Sequence, residues 1–128
     1  MPRRLEKLSA NSLTISGPST LTDITLSKTT VSQGTSLTTG VSLDSPAGFI
    51  FTFTTGSIST SGSNSFTVTN SFVNTSSIVH TSILNYTGSG IPVVNCTSIT
   101  TGSFSVKINN LDATNTVAGS VKLGFTIF

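Results

Sequence analysis

Two stretches of sequence decide the fold, Ser103-Phe104-Ser105-Val106-Lys107-Ile108-Asn109 and Val121-Lys122-Leu123-Gly124-Phe125-Thr126-Ile127. In each stretch an apolar side chain occupies every second position, and most of the intervening positions carry a hydroxyl, amide or amine group. A period of two is typical of a β-strand with one apolar and one wetted face. The two stretches therefore predict a pair of strands whose apolar faces need a second layer, with Ile127 and Phe128 docked into a sheet or a neighbouring subunit.

The composition of the chain favours an all-β protein. Serine and threonine fill more than a third of the 128 positions, and threonine suits the pleated surface of a sheet better than it suits a helix. Turn residues separate short alternating runs, a pattern that predicts about eight to ten short strands. We expect an antiparallel, jelly-roll-like β-sandwich formed by residues 11–128 as a single domain, after a basic arm of residues 1–10.

The alternating runs also predict which side chains form the core. Residues 36–43 are expected to form one strand, and residues 78–86 another. Residues 56–64 contain glycine, serine and little apolar content beyond Ile58, so we expect an exposed loop there. Phe49, Phe51 and Phe53 share one face of their strand. The expected inward residues are Leu37, Val41, Leu43, Phe51, Phe53, Leu84 and Tyr86, with either Ile78 or Val79.

Charge and chemistry exclude several classes of function. Only 8% of the residues are charged, and three of the six basic residues lie before Leu8, whereas roughly 25% are charged in an ordinary soluble domain. That distribution leaves no basic groove for nucleic acid. His80, Cys96 and four acidic residues make no recognisable catalytic or metal-binding pattern. We therefore expect no enzyme, no metal and no cofactor; an enzyme would need an activity that His80→Ala abolishes.

The first ten residues are the most highly charged stretch of the sequence. Two interpretations remain open: a frayed terminus, or a tether in which Leu5 and Leu8 are anchors and Arg3 and Arg4 bind carboxylates. The sequence starts without an apolar leader, which predicts synthesis and initial folding in a cytoplasm. The longest apolar run, residues 47–51, is far shorter than the roughly 20 residues that span a bilayer, so we expect no membrane insertion.

Residues 31–48 read Val-Ser-Gln-Gly-Thr-Ser-Leu-Thr-Thr-Gly-Val-Ser-Leu-Asp-Ser-Pro-Ala-Gly. This run resembles the pattern V-[ST]-Q-x-T-S-x-T-T-x-V-x-L-x-x-P-x-G of small virion proteins of tailed phages and large DNA viruses. Three later stretches are similar to strands of the same proteins: Ser65–Ser71 to F-T-V-x-N-S, Gly90–Val94 to G-x-P-x-V, and Gly102–Phe128 to their G-S-F ending. The resemblance covers about residues 29 to 128. It implies a β-sandwich or jelly-roll unit of the particle shell, its decorations or its fibres, and it implies no catalytic residues.

The leading hypothesis is thus a virion structural protein that acts by multimeric assembly, as a minor capsid, decoration or fibre module. Few charges allow many copies to pack without like-charge repulsion. We expect a homo-oligomer, with a trimer favoured, that also contacts other capsid or fibre proteins in the virion. Aromatic side chains dominate interface energies. The expected assembly contacts are Phe49, Phe51 and Phe128, with Arg3, Arg4, Leu5 and Leu8 in the arm.

The second hypothesis is a receptor- or glycan-binding head domain of a viral or phage fibre. In that case the loops at residues 56–64 and 109–116 meet the host ligand, and Tyr86, the only tyrosine, supplies a ring that stacks on a sugar. Binding of the purified protein to host-cell glycans would favour this hypothesis. Fixed stoichiometric positions in particles, with those loops against another viral protein, would favour the first.

Overall fold

The computed structural model describes residues 16–18, 20 and 27–128. Within these residues the chain forms ten strands and no helix, which confirms the all-β fold class. Accordingly, this part of the chain has no helix with the length and apolar character that crossing a membrane requires. The strands are β1 Lys28–Ser32, β2 Val41–Ser42, β3 Ala47–Phe51, β4 Ser57–Ile58, β5 Ser63–Thr69, β6 Val79–Asn85, β7 Pro92–Thr100, β8 Ser103–Asn110, β9 Val117–Ala118 and β10 Lys122–Ile127. The arm with Arg3, Arg4, Leu5 and Leu8 lies outside the described residues.

The strands form two four-stranded sheets and one two-stranded sheet. The first sheet has the order β1-β3-β10-β6 and the second sheet the order β2-β5-β8-β7, while β4 pairs with β9. The pairings are antiparallel, except that the edge strands β1 and β2 run parallel to β3 and β5. Parallel neighbours need a crossover connection. The chain supplies one because it leaves β1 for β2 in the other sheet before it returns as β3. The jelly-roll arrangement stays a prediction.

The two sheets pack face to face around one cluster of buried apolar side chains. The ring of Phe104 in the second sheet meets the ring of Phe125 in the first, with centroids 5.4 Å apart. The two stretches that predict the fold are therefore strands with inward apolar faces, as expected, but they lie in different sheets and face each other across the core. The most deeply buried members of the cluster are Ile50, Val68, Phe104, Val106, Ile108, Val121, Leu123 and Val73.

The inward face of β3 differs from the prediction. Ile50 and Thr52 are buried at 1% and 2% exposure, whereas Phe49 and Phe51 are only half-buried on the outer side. Placing Phe51 in the core was therefore wrong, while Phe53, just after the strand, packs partly buried against the core. Thr52 tolerates burial because its hydroxyl accepts a hydrogen bond from the Val121 amide at 2.8 Å.

The inward face of β6 also differs, because the strand contains a β-bulge. Its partner β10 sets Lys122 opposite Asn85 and Leu123 opposite Ile83, so Leu84 is the extra residue between them. A bulge changes the phase of the alternation. Leu84 consequently points outward with 48% of its surface exposed, which contradicts the prediction.

The remaining predictions for β6 concern the two ends of the strand. Tyr86 follows the strand and packs partly buried against the core, as predicted. Of the two alternatives at the start of the strand, Val79 packs against the core and Ile78 is 67% exposed. The register of β6 with β10 agrees, since it pairs Val79 with Ile127.

Residues 36–43 form a turn followed by a very short strand rather than one long strand. Ser36 and Thr39 close the turn, with the Ser36 amide donating to Thr39 Oγ1 at 3.0 Å. The buried Gln33 stabilises it, because its Nε2 lies within hydrogen-bond distance of Leu37 O and Thr39 O. The inward residues are nevertheless those predicted, Leu37, Val41 and Leu43.

Residues 56–64 are more ordered than the expected loop. They contain β4, which pairs with β9 and buries Ile58 opposite Val117, each at 2% exposure. The small β4-β9 sheet covers one end of the core. Most other side chains of this stretch are exposed, in agreement with the prediction.

Candidate functional site

The outer side of the first sheet, named here the aromatic face, combines apolar and cationic side chains. Alternation along β3 and β10 turns Phe49, Phe51, Lys122 and Gly124 outward, since Gly124 pairs with Phe49 and Lys122 with Phe51. The Nζ of Lys122 lies 4.7 Å from the ring centre of Phe49 and 5.6 Å from that of Phe51. A cation over an aromatic ring is attracted by the negative face of the ring. Lys122 therefore contacts both rings and links them on the outer surface.

A shallow hollow of about 150 Å³ lies on the aromatic face beside this unit. Gly124 forms part of its lining, and a Cβ at that position would stand 2.9 Å from Leu84 Cδ1. The bulged Leu84 thus lies close over the glycine, and a glycine inside a strand often marks such a close approach. The hollow is lined by Lys28, Phe49, His80, Leu84, Gly124 and Thr126, among others.

The outer side of the second sheet has a different chemistry. Pairings of β5 with β8 set Thr67 opposite Ser105 and Thr69 opposite Ser103, and similar hydroxyl and amide side chains continue onto β7. Lys107 is the charged residue on the described strands of this face. The second sheet therefore presents a polar, weakly charged outer surface, because its aromatic side chains Phe66 and Phe104 point into the core.

Three loops meet at one end of the sandwich, named here the loop end. The buried Asn110 joins them, because its Nδ2 donates to Ser59 O at 3.1 Å and to Asn115 O at 2.8 Å. Its Oδ1 accepts from the amides of Ile91 and Asp112 at 3.1 and 3.0 Å. The loops at 56–64 and 109–116, which the glycan hypothesis requires side by side, are therefore neighbours.

Two further residues of the loop end are committed to internal contacts. The Asp112 carboxylate accepts from the amides of Thr114 and Asn115, and these bonds, the Asn115 amide first, lower the pKa of the Asp112 carboxyl. The hydroxyl of Tyr86 bonds to Ser89 O, and the amide of Ala118 donates to it at 3.0 Å. Because the hydroxyl is engaged and the ring is partly buried, only part of the Tyr86 ring is open to a ligand; its stacking role stays a prediction.

The opposite end of the sandwich, named here the Phe128 end, exposes large apolar side chains. Phe72, Ile78 and Phe128 are 53%, 67% and 74% exposed. The backbones of Ile78 and Phe128 exchange two hydrogen bonds of 2.9 Å, which places their residues side by side. A hollow of about 250 Å³ lies between Phe72 and Phe128. This end therefore leaves an apolar surface in contact with water.

The predicted contact residues are only partly brought together. Phe49 and Phe51 lie side by side. Phe128 lies far from them, because it is six residues beyond Lys122, the partner of Phe51. Six residues of strand correspond to about 20 Å. Phe72 and Ile78, which the sequence analysis did not select, are the neighbours of Phe128 instead. Phe72 stands beside a turn with no periodic signal, and Ile78 was considered only as a possible inward residue of a strand, so alternation identified neither as exposed.

Chemistry-bearing side chains are scattered over the described residues. His80 is exposed on the aromatic face, and Asp44 uses its Oδ1 to accept from the Ser71 amide at 2.7 Å. Within residues 16–18, 20 and 27–128, no group of three or more histidine, cysteine or acidic side chains is placed to hold a metal ion. Burial raises the pKa of the Cys96 thiol.

Comparison of the chain with protein-family models, with curated proteins and with solved structures found no match.

Proposed function

We propose that the protein is a structural component of a virus particle, a minor capsid, decoration or fibre module that acts by multimeric assembly. The observation that carries this proposal is the Phe128 end, where Phe72, Ile78 and Phe128 each expose more than half of their surface. Exposed apolar side chains grouped in this way mark interaction surfaces, because burying them against a neighbour removes them from water.

The sparse charge of the described chain supports the same function. Over residues 27–128 the charged side chains are Lys28, Asp44, Lys107, Asp112 and Lys122. Many copies of such a chain pack closely with little like-charge repulsion. The proposal also follows the resemblance to small virion proteins described under the sequence. We propose a homotrimer that also contacts other capsid or fibre proteins in the virion.

Light scattering coupled to size-exclusion chromatography tests the assembly. We expect a particle of three times the 13.2 kDa chain mass, and we expect the double variant Ile78→Ser/Phe128→Ser to be monomeric. The matched control is Leu111→Ser, which changes a 63% exposed apolar side chain at the opposite end and should leave the trimer intact. A monomer at every protein concentration would overturn the assembly. Mass-spectrometric stoichiometry of purified particles would then test its place in the virion.

A glycan-binding head is the second candidate, and the loop end favours it. The Ser61 amide donates to Asp112 O at 3.0 Å, so the two loops proposed to meet a ligand are joined directly. Ser61 also has a positive φ of 53°, a conformation that is uncommon outside glycine and tends to occur at functional sites. Binding of the purified protein to immobilised host-cell glycans, lost in Ser61→Pro but kept in Ile78→Ser, would support this function. Absence of binding would exclude it.

A further inference from the structure

We propose that the aromatic face is a docking site for an acidic, apolar segment of a different protein. This inference rests on the proposed assembly function and names the chemistry of one partner. It concerns the outer side of the first sheet, whereas self-assembly is assigned above to the Phe128 end. The two contacts are therefore separate surfaces of the same molecule.

The apolar part of the site is the hollow beside Phe49. Its volume of about 150 Å³ is close to that of a cavity that accepts a benzene-sized group. Phe49 and Leu84 supply apolar contact area, and Leu84 can lie this close to the sheet because Gly124 beneath it has no side chain. One phenylalanine or leucine side chain of a partner matches this space.

The charged part of the site is formed by two lysines that flank the hollow. Lys28 pairs with Ala47 at one end of β3, and Lys122 pairs with Phe51 at the other. They are thus four residues apart along the strand and two strands apart across the sheet, roughly 17 Å between their backbones. A partner segment with carboxylates at both ends and an apolar side chain between them is complementary to this arrangement.

The same charges argue against a second copy of the described fold on this face. The acidic residues of the described strands and loops are Asp44 and Asp112, and each already accepts backbone amide hydrogen bonds away from the aromatic face. Two aromatic faces in contact would bring lysine against lysine in the described chain. Like charges brought together at an interface oppose association. Among the described residues, like charges thus disfavour a second aromatic face as the occupant, and we assign the carboxylates to another protein.

The lysine spacing sets the form of the partner segment. An extended chain advances about 3.4 Å per residue, so about five residues of it cover the distance between the two lysine backbones. The apolar side chain that enters the hollow lies between them. A segment of about six residues therefore carries the whole recognition pattern.

Chemical-shift mapping of the isotopically labelled protein tests the site. The probe is a synthetic peptide of about six residues with glutamate at both ends, one phenylalanine in the middle and threonines between. We expect shifts at the amides of Phe49, Gly124 and Lys122. We also expect Lys28→Gln/Lys122→Gln to weaken binding at least about threefold, in keeping with exposed ion pairs. The matched control Lys107→Gln, on the outer side of the second sheet, should leave binding unchanged.

Further measurements test the apolar and the charged parts of the site separately. Leu84→Ser removes an exposed wall of the hollow and should also weaken binding, while its folded spectrum shows that the protein is intact. Equal binding of a peptide with glutamine at both ends would overturn the proposal, as would shifts confined to the Phe128 end or no binding at millimolar peptide. Light scattering on the same samples measures only the oligomeric state. Failure of the trimer can therefore be distinguished from failure of the docking site.

Discussion

The ring of Phe104 in β8 lies against the ring of Phe125 in β10, with centroids 5.4 Å apart and planes inclined by 57°. Tilted contacts of this kind are favourable because the positive edge of one ring meets the negative face of the other. The two residues are 1% and 4% exposed and belong to different sheets. Their contact therefore joins the two layers of the sandwich within the core.

Phe125→Ala is expected to lower the free energy of unfolding by about 3–5 kcal/mol, because it removes a buried ring and leaves a cavity. Phe125→Leu keeps much of the volume and should cost less. Equilibrium urea denaturation followed by far-ultraviolet circular dichroism measures both. Phe72→Ala is the control, since a ring that is 53% exposed contributes little to the core. Equal losses for Phe72→Ala and Phe125→Ala would contradict the assignment of the layers.

Alternation predicted the strands and many inward faces, but it does not predict how strands pair. The stretches containing Phe104 and Phe125 have the same pattern whether they are neighbours in one sheet or face each other across two. On β3 both faces are apolar in part, so the side facing inward was decided by contacts distant in sequence, such as the bond from the Val121 amide to Thr52. On β6 the bulge at Leu84 reversed the phase, and the sequence carries no mark of it.

The candidate surfaces were predictable to a similar extent. Phe49 and Phe51 were selected as contact residues because they are aromatic, and they do lie together on one face. The lysine above them was not selected, because the pairing of Lys122 with Phe51 depends on the register of β10 against β3. Asn110 was missed for the same reason: its partners in the other loops, such as Ser59, are far from it in the sequence.

Asn110→Ala is expected to destabilise the protein by about 2–3 kcal/mol and to loosen the loop end selectively. The substitution removes the buried Asn110 side chain and leaves the part-buried amides of Ile91 and Asp112 without their acceptor, and unpaired polar groups away from water are costly. Hydrogen exchange should accelerate at these amides and remain slow at the Phe128 end. Asn109→Ala, at the preceding outward position, is the control. Uniformly faster exchange over the whole chain would show that Asn110 does not act locally.

Asp112 is expected to titrate below its ordinary pKa of 3.8, because the amides of Asn115 and Thr114 donate to its ionised form. A lowered folded-state pKa means that this group stabilises the fold above about pH 3.8, and that the stabilisation is lost as the pH falls through the folded-state value. Carbon-13 titration of the carboxyl group measures the pKa directly. Asn115→Ala removes one donor but keeps the backbone amides, so it should raise the pKa only in part. A titration at or above 3.8 in the unmodified protein would rule out this account.

Cys96 is expected to make the fold less stable in alkali. The thiol lies half-buried on β7, and burial raises its pKa above the ordinary value of 9.0 because the thiolate loses contact with water. A raised folded-state pKa means that the contribution to stability is complete below about pH 9.0 and is lost as the pH rises through the folded-state value. The urea midpoint should therefore fall further between neutral and alkaline pH in the unmodified protein than in Cys96→Ala, which has no thiol to ionise. The comparison between the two chains removes the effects of alkali on all other groups, because both chains share them. Identical falls in the two proteins would mean that the thiolate is as well solvated in the fold as in the unfolded chain.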